Sequence, residues 1–286
     1  MPAPASDARH RPIAVFDSGV GGLTVLQELL VALPQEDFIY FGDTARFPYG
    51  GRATAELERF GLEIAEHLIE LGAKLLVVAC NSATAAALPA LERRVGAAAE
   101  TVHVLGVVEP ESALAVEASR SGRIGLLATP ATVTSGAYER AVALLDPAAE
   151  LVSVGCPDLA PLIQGGLPFN ERVLNTVRGY CEPLRAAGVD TVILGCTHYP
   201  LAGPMLRRML GRDVALITSG AAITQRVEHS LTRHGLLNDR DGEGDYRFLC
   251  TGDVEAFGAL GARFLQMPLG EVARVRLAEL PAGLTA

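Results

Sequence analysis

Two cysteines close apolar runs of the same form. Leu75-Leu76-Val77-Val78-Ala79 leads into Cys80-Asn81-Ser82, and Thr191-Val192-Ile193-Leu194-Gly195 leads into Cys196-Thr197-His198. Short apolar runs of this kind read as buried strands, and the residues after each read as the start of a helix. In an open parallel sheet such a junction lies at the carboxyl edge, where ligands bind. A thiol that starts a helix sits at the positive end of the dipole, which favours thiolate. One such cysteine suggests a nucleophile. Two in matched settings suggest a pair of acid–base groups facing one substrate. His198 stands two residues beyond the second thiol and is placed to tune or share its proton. Cys156, Cys181 and Cys250 lack this setting and read as packing residues.

Two further stretches could meet a ligand. Asp17-Ser18-Gly19-Val20-Gly21-Gly22 is a glycine-rich turn after a strand, able to present backbone N–H groups to an anion or simply to turn tightly. It is neither a Walker loop, since no Gly-Lys-Ser/Thr follows, nor a Rossmann fingerprint, since Thr24 stands at the third glycine position. Asp17, at the strand's end, could bind an ammonium or assist a proton transfer. Residues 40–51, Tyr-Phe-Gly-Asp-Thr-Ala-Arg-Phe-Pro-Tyr-Gly-Gly, form a long polar and aromatic loop, and loops of that length inside α/β units are often functional.

Composition bounds the rest. The 286 residues suffice for one large or two smaller domains, and a hydrophobic content of 49% supports a filled core. A net charge of −9, with no basic block, argues against nucleic-acid and membrane-surface partners. No apolar run reaches the length of a membrane span. Residues 1–11 are Pro/Ala-rich, lack an apolar core and read as a frayed tail rather than a signal peptide. Five widely spaced cysteines without a CxxC pair suit reduced thiols in a cytoplasmic protein and give no structural metal site. Among 24 Lys+Arg, Lys74 is the only lysine. It opens the strand that ends at Cys80, so about 20 Å of chain separates them at ~3.3 Å per residue. Pyridoxal chemistry needs a lysine at the site; no cofactor is expected.

Strands and helices alternate, which implies α/β architecture with a mostly parallel sheet. Strands are expected at 13–17, 37–41, 75–79, 102–107, 123–128, 151–154, 191–194, 214–218 and 246–250. Helices are expected at 22–33, 54–71, 83–95, 111–120, 132–145 and 171–187, then one through Arg233 and a last one near the C-terminus. Ile13-Ala14-Val15-Phe16-Asp17-Ser18 resembles Ile124-Gly125-Leu126-Leu127-Ala128-Thr129. A similar length of chain separates each segment from its cysteine. This is consistent with duplication, and equally with two ordinary βα units.

The motifs together closely resemble the glutamate racemases of the cofactor-independent aspartate/glutamate racemase superfamily. The matching blocks are residues 16–23, the loop at 40–50, Cys80-Asn81-Ser82-Ala83, and Gly195-Cys196-Thr197-His198-Tyr199-Pro200-Leu201. The resemblance implies two similar parallel-sheet α/β domains, related by pseudo-twofold symmetry, with the site in the cleft between them. Residues 1–101 plus 214–286 would form the first and contribute Cys80. Residues 102–213 would form the second and contribute Cys196. It implies that Asp17, Ser18, Tyr49, Gly50, Asn81, Ser82, Thr197 and His198 line the substrate site. It further implies a cytoplasmic homodimer that supplies D-glutamate for peptidoglycan. The implied chemistry is a two-base racemisation of glutamate, with Asp17 assisting Cys80, and with His198, protonated, assisting Cys196.

Three positions depart from the pattern. Ser82 stands where threonine is more frequent, Gln164 where a glutamate assists the second cysteine, and Thr218-Ser219-Gly220 where Asp-Ser-Gly is usual. Glutamine cannot act as a general base. An aspartate racemase, a cysteine-dependent decarboxylase or a silent amino-acid-binding protein are the competing readings. The retained pair of thiols weighs against the last two.

Overall fold

The computed structural model describes residues 8–98 and 102–277. The first unit runs β1 (Ile13–Asp17), α1 (Leu23–Ala32), β2 (Phe38–Gly42), α2 (Thr54–Glu70), β3 (Leu75–Val78), α3 (Asn81–Ala98) and β4 (His103–Gly106). Helix α4 (Val108–Ala118) leads to the second unit: β5 (Arg123–Ala128), α5 (Pro130–Thr134), α6 (Ala137–Leu145), β6 (Glu150–Gly155), α7 (Leu159–Gln164), α8 (Glu171–Ala186), β7 (Thr191–Gly195), α9 (Gly203–Leu210) and β8 (Ala215–Ile217). Helix α10 (Ser219–His234) returns the chain to the first sheet for β9 (Tyr246–Cys250), α11 (Val254–Leu265) and β10 (Val272–Arg274).

All pairings are parallel. The first sheet has the order β10-β9-β2-β1-β3-β4, the second β6-β5-β7-β8. The segments β2-β1-β3-β4 and β6-β5-β7-β8 have the same topology, with β1 and β5 central and each thiol following the corresponding third strand. The faint likeness of the Ile13 and Ile124 segments is therefore carried by strands in equivalent places. β1, β2 and β3 are buried along their whole length, as expected of parallel strands covered by helices on both faces.

The expected division at 102 and 214 is one strand off at each crossing. β4 pairs with β3, Val77 opposite Leu105, and completes the first sheet. β8 pairs with β7, Val192 opposite Leu216, and completes the second. Each short last strand satisfies its backbone on its own sheet before the chain leaves; the crossings themselves are α4 and α10. The expected helix over 132–145 is two helices, broken where Gly136 takes a left-handed φ of 65°. α7 and β10 were not expected; their sequences are short, and α7 carries Pro161. The helix expected directly after Cys196 starts late: a 3-10 turn, Tyr199–Ala202, comes first, and α9 follows from Gly203 with Pro204 in its first turn. Of the expected N-terminal tail, residues 1–7 lie outside the described residues, and Ala8–His10 forms a 3-10 turn.

Local chemistry fixes the helix ends. Asn170 Oδ1 accepts from the Val173 N–H at 3.0 Å and caps α8, and Asp253 caps α11 through the Ala256 N–H at 2.7 Å. Each cap is worth about 1 kcal/mol. The polar loop after β2 is pinned from below. Asp43 is fully buried and accepts from Arg46 Nε at 2.6 Å, Thr251 Oγ1 at 2.8 Å and the Tyr49 hydroxyl. Arg46 also bonds Glu63 on α2 and lies over the Phe60 ring at 4.0 Å.

Candidate active site

The carboxyl edges of the two sheets face each other across a cleft of about 220 Å³. Cys80 follows β3 and precedes α3; Cys196 follows β7. Both line the cleft, together with Ser18, Tyr49, Gly50, Asn81, Ser82, Thr197 and His198. So do Phe47, from the loop that the sequence marked as a whole, and Thr129 and Pro157, which were not proposed as site residues. Of the expected residues, only Asp17 is absent from the lining. It is fully buried behind the wall, because its carboxylate is drawn to its own turn and to the opposite domain. Oδ2 accepts from the Gly19 N–H at 3.0 Å, and Oδ1 accepts from Thr197 Oγ1 at 3.1 Å.

The glycine-rich turn is thus not a cradle for an external anion. Its N–H groups serve Asp17. Its glycines make room: a Cβ on Gly21 would fall 2.3 Å from Thr197 Oγ1 and 2.4 Å from His198 Nδ1. Thr24 Oγ1 donates to the Thr197 carbonyl at 3.0 Å. The second thiol's loop is therefore seated directly in the first domain's turn. Across the cleft, the Ala131 N–H donates to the Gly50 carbonyl at 2.9 Å.

Three hydroxyls cluster at one side of the cleft. Ser82 Oγ lies 2.9 Å from Thr129 Oγ1 and 3.1 Å from Thr132 Oγ1, and the two threonines are 3.0 Å apart. The sequence signal for Thr129 was its place as the counterpart of Ser18 in the repeated segment. Asn81 Nδ2 donates away from the cleft, to Glu111 at 2.9 Å and Tyr138 at 2.7 Å, and Asn81 Oδ1 is buried with no partner among the described residues. Among the described residues neither Lys nor Arg lines the cleft.

His198 is held on three sides. Phe47 stacks on its ring at 5.5 Å between centroids, and Phe264 meets it edge-on at 5.0 Å. Its Nε2 is 3.0 Å from Gln164 Oε1, and its Nδ1 is 4.0 Å from Cys196 Sγ. With the amide oxygen assigned to face the ring, Nε2–H donates to it and Nδ1 turns a lone pair towards the thiol. Gln164 thus occupies a place where it cannot take a proton but can choose the tautomer.

The protonation states differ from the sequence expectation. Burial pushes the Cys80 thiol up to about 12, with the nearby Asp17 charge adding to it, against opposing hydrogen bonds from Ala83 and Ser18. Cys196 is pushed well above the usual thiol range, again first by burial. Asp17 is raised by burial, and burial drops His198 to about 4. At neutral pH these shifts make both cysteines thiols and His198 neutral. Loss of solvation outweighs the dipole at the start of α3. The dipole is weaker still at Cys196, which precedes a 3-10 turn, Tyr199–Ala202, and not an α-helix.

This constellation defines a class of enzyme: two α/β domains that present one thiol each to a shared cleft bearing hydroxyls. The chain belongs to the Asp/Glu/hydantoin racemase family, whose model matches residues 21–236. A glutamate racemase from Geobacter metallireducens is 44% identical over 268 residues, covering 93% of this chain and 97% of that protein. The crystal structure of a glutamate racemase from Bacillus anthracis superposes with a TM-score of 0.88 at 38% identity, covering 94% of this chain and 98% of that one. A Francisella tularensis glutamate racemase in complex with D-glutamate gives 0.86 at 32% identity, covering 94% and 98%.

Proposed function

We propose that the protein interconverts L- and D-glutamate, without a cofactor, by proton transfer between two cysteines on opposite faces of the α-carbon. The observation that carries this reading is the placement of Cys80 and Cys196 on opposing sheet edges around one cleft. In one direction a thiolate removes the α-proton: the C–H bond breaks, an S–H bond forms, and the electron pair delocalises into the α-carboxylate. The opposite thiol then delivers its proton to the other face and becomes thiolate. Two groups are needed because one base returning its own proton retains configuration.

The thiolate is formed when substrate binds. The ammonium of glutamate brings a positive charge into a buried site, which favours ionisation of a neighbouring thiol. Asp17, raised by burial and close enough to Cys80 to act on its charge, is the base for Cys80, and the Nδ1 lone pair of neutral His198 is a base for Cys196. Hydroxyls of Ser18 and Ser82 hold the carboxylates and stabilise the charge developing on them, while Thr197, whose hydroxyl donates to Asp17 Oδ1, fixes that carboxylate beside the site. The lysine needed for pyridoxal chemistry is engaged elsewhere: Lys74 is buried against Glu36 at the far end of β3 from Cys80. By this reading the enzyme supplies D-glutamate for peptidoglycan, and it acts as a cytoplasmic homodimer, as the resemblance implies.

The test is proton NMR of purified protein with L-glutamate in D₂O, with circular dichroism of the amino acid recorded alongside. Loss of the α-proton signal with decay of optical activity is expected with no cofactor added. Exchange of aspartate instead of glutamate would keep the chemistry and overturn the substrate. No exchange with either would overturn the reading.

A further inference from the structure

A second buried carboxylate has no part in the chemistry just described. Glu111, on α4, is fully buried, and among the described residues no cation pairs with it. It accepts three hydrogen bonds from three different helices. Asn81 Nδ2, at the start of α3, donates to Oε2 at 2.9 Å. The Tyr138 hydroxyl on α6 also donates to Oε2. The Ser219 hydroxyl, at the start of α10, donates to Oε1. Asn81 further donates to the Tyr138 oxygen at 2.7 Å.

The placement is specific. α4 and α10 are the two segments by which the chain crosses between sheets, α6 belongs to the second unit, and α3 carries Cys80 at its threshold. One carboxylate therefore ties both crossings and both domains to the residue next to Cys80. Ionised, Glu111 accepts from all three partners at once. Protonated, its O–H must be received by the Tyr138 or Ser219 oxygen, and that hydroxyl then turns its own proton away from the carboxyl. The bond that matters most to the cleft is the one to Asn81. It fixes the amide so that the unpartnered Oδ1 remains free on a residue that lines the cavity.

We propose that Glu111 is a positioning residue: its ionised carboxylate sets the interdomain geometry and the orientation of Asn81, and through them the placement of Cys80 against the substrate. This rests on the reading of the cleft as the racemase site. Burial holds the carboxyl up at about 7 against the three hydrogen bonds, so the clamp forms within the working pH range. Few other titrating groups face it. Tyr138 stays protonated, pushed well up by burial and by Glu111 itself, with Cys196 beyond it. Cys80 adjoins Asn81, the Glu109–Arg226 ion pair bridges α4 and α10 at 3.2 Å on the exposed side, and β7 brings Cys196.

The experiment compares wild type with Glu111→Gln, Tyr138→Phe and Ser219→Ala across pH 5.5–9. It reads glutamate KM and kcat by circular dichroism, and the alkylation rate of Cys80 relative to Cys250 by peptide mass spectrometry. Wild-type kcat/KM should rise on an ionisation near neutrality that Glu111→Gln lacks. That variant should lose about tenfold or more in kcat/KM above pH 7, and Tyr138→Phe and Ser219→Ala should each lose several-fold in the same pH region. Cys80 should alkylate faster in all three, with Cys250 unchanged. Wild-type kinetics and profile in folded Glu111→Gln would overturn the proposal. If that variant does not fold, wild-type profiles in both of the others would overturn it. Should wild type itself not act on glutamate, the alkylation ratio decides alone: an unchanged ratio across the set refutes the positioning role, separately from the failed function.

Discussion

Replacing Gln164 by leucine isolates the role of one amide. In the structure its oxygen is the acceptor for His198 Nε2–H at 3.0 Å, and His198 is almost wholly buried, at 1% exposure. Leucine keeps the volume and removes the acceptor. The ring can then leave a buried N–H unpaired, at a cost of about 1–3 kcal/mol. Or it can shift its proton to Nδ1, which turns a donor towards Cys196 Sγ where a lone pair had been. Either way the base form that faces the thiol becomes the disfavoured one. At 1.36 kcal/mol per tenfold, the penalty corresponds to about 5- to 150-fold in kcat/KM. KM should change little, since Gln164 does not line the cleft. Gln164→Glu makes the contrasting change: its anion would raise His198 towards imidazolium, so that Nδ1 donates to a Cys196 thiolate. The pH at which activity rises should move downward. The assay is circular dichroism of glutamate over pH 6–9, with ¹⁵N chemical shifts of His198 to read the tautomer. A folded Gln164→Leu enzyme with kcat/KM within twofold of wild type and the Nε2–H tautomer retained would refute the reasoning.

Cys80→Ala and Cys196→Ala should each lose racemisation by at least a thousandfold, the upper range for removing a positioned acid or base; normal optical decay in both variants would sink the two-base reading. Gly21→Ala should displace the Thr197–His198 loop, because the new Cβ would overlap both side chains. A drop of about a hundredfold in kcat/KM, with little loss of secondary structure by far-UV dichroism, is expected, and unaltered kinetics would contradict the close approach. Cys80, held up at about 12, should alkylate in the empty enzyme at a rate that climbs about tenfold per pH unit from 7 to 10 without a plateau, and a plateau below pH 9 would contradict its burial. Glu111 has a folded value of about 7 against an ordinary 4.5, so the folded state binds the extra proton between those values. Its contribution is intact below about 4.5 and is lost as pH rises through 7, on the order of 3 kcal/mol in all. The melting temperature of wild type should therefore fall relative to Glu111→Gln between pH 5 and 8, and a constant difference would refute the shift.

The thiols were legible in the sequence because they end the most regular elements in it. β3 and β7 are fully buried parallel strands, which must be unbroken apolar runs, and the residue after such a run sits at the sheet's edge. The domain division was less legible. β4 and β8 are only four and three residues long and half-buried, so nothing local says which sheet they join. Asp17 was placed at the right edge but on the wrong side of the wall, because the partner that draws it in, Thr197, lies 180 residues away. The ionisation states were misread for a related reason. A dipole argument needs only the local helix, whereas desolvation depends on how both domains bury the thiols. Glu111 carried no signal at all: a glutamate in the first turn of a helix is ordinary, and only the convergence of α3, α4, α6 and α10 buries it.

The duplicated topology sets both thiols at equivalent edges, but the chain has given them unequal partners. Behind Cys80 stands a buried carboxylate, Asp17, fixed by the Gly19 N–H and by Thr197 of the other unit. Beside Cys196 stands a neutral ring, held by an amide that cannot ionise. On the proposed mechanism, a thiolate at Cys80 with Asp17 ionised places two negative charges together in a dry site, and the Coulombic contribution of Asp17 to Cys80 has the sign that opposes this. The Cys80 proton is therefore most readily lost to Asp17 itself, which keeps the pair at a single negative charge. At Cys196 the same transfer to His198 creates an opposite-charge pair, thiolate and imidazolium, from two neutral groups. The two half-reactions thus begin from different charge states although the strands that bear them match. The asymmetry lies in Asp17, His198 and Gln164, not in the repeated fold.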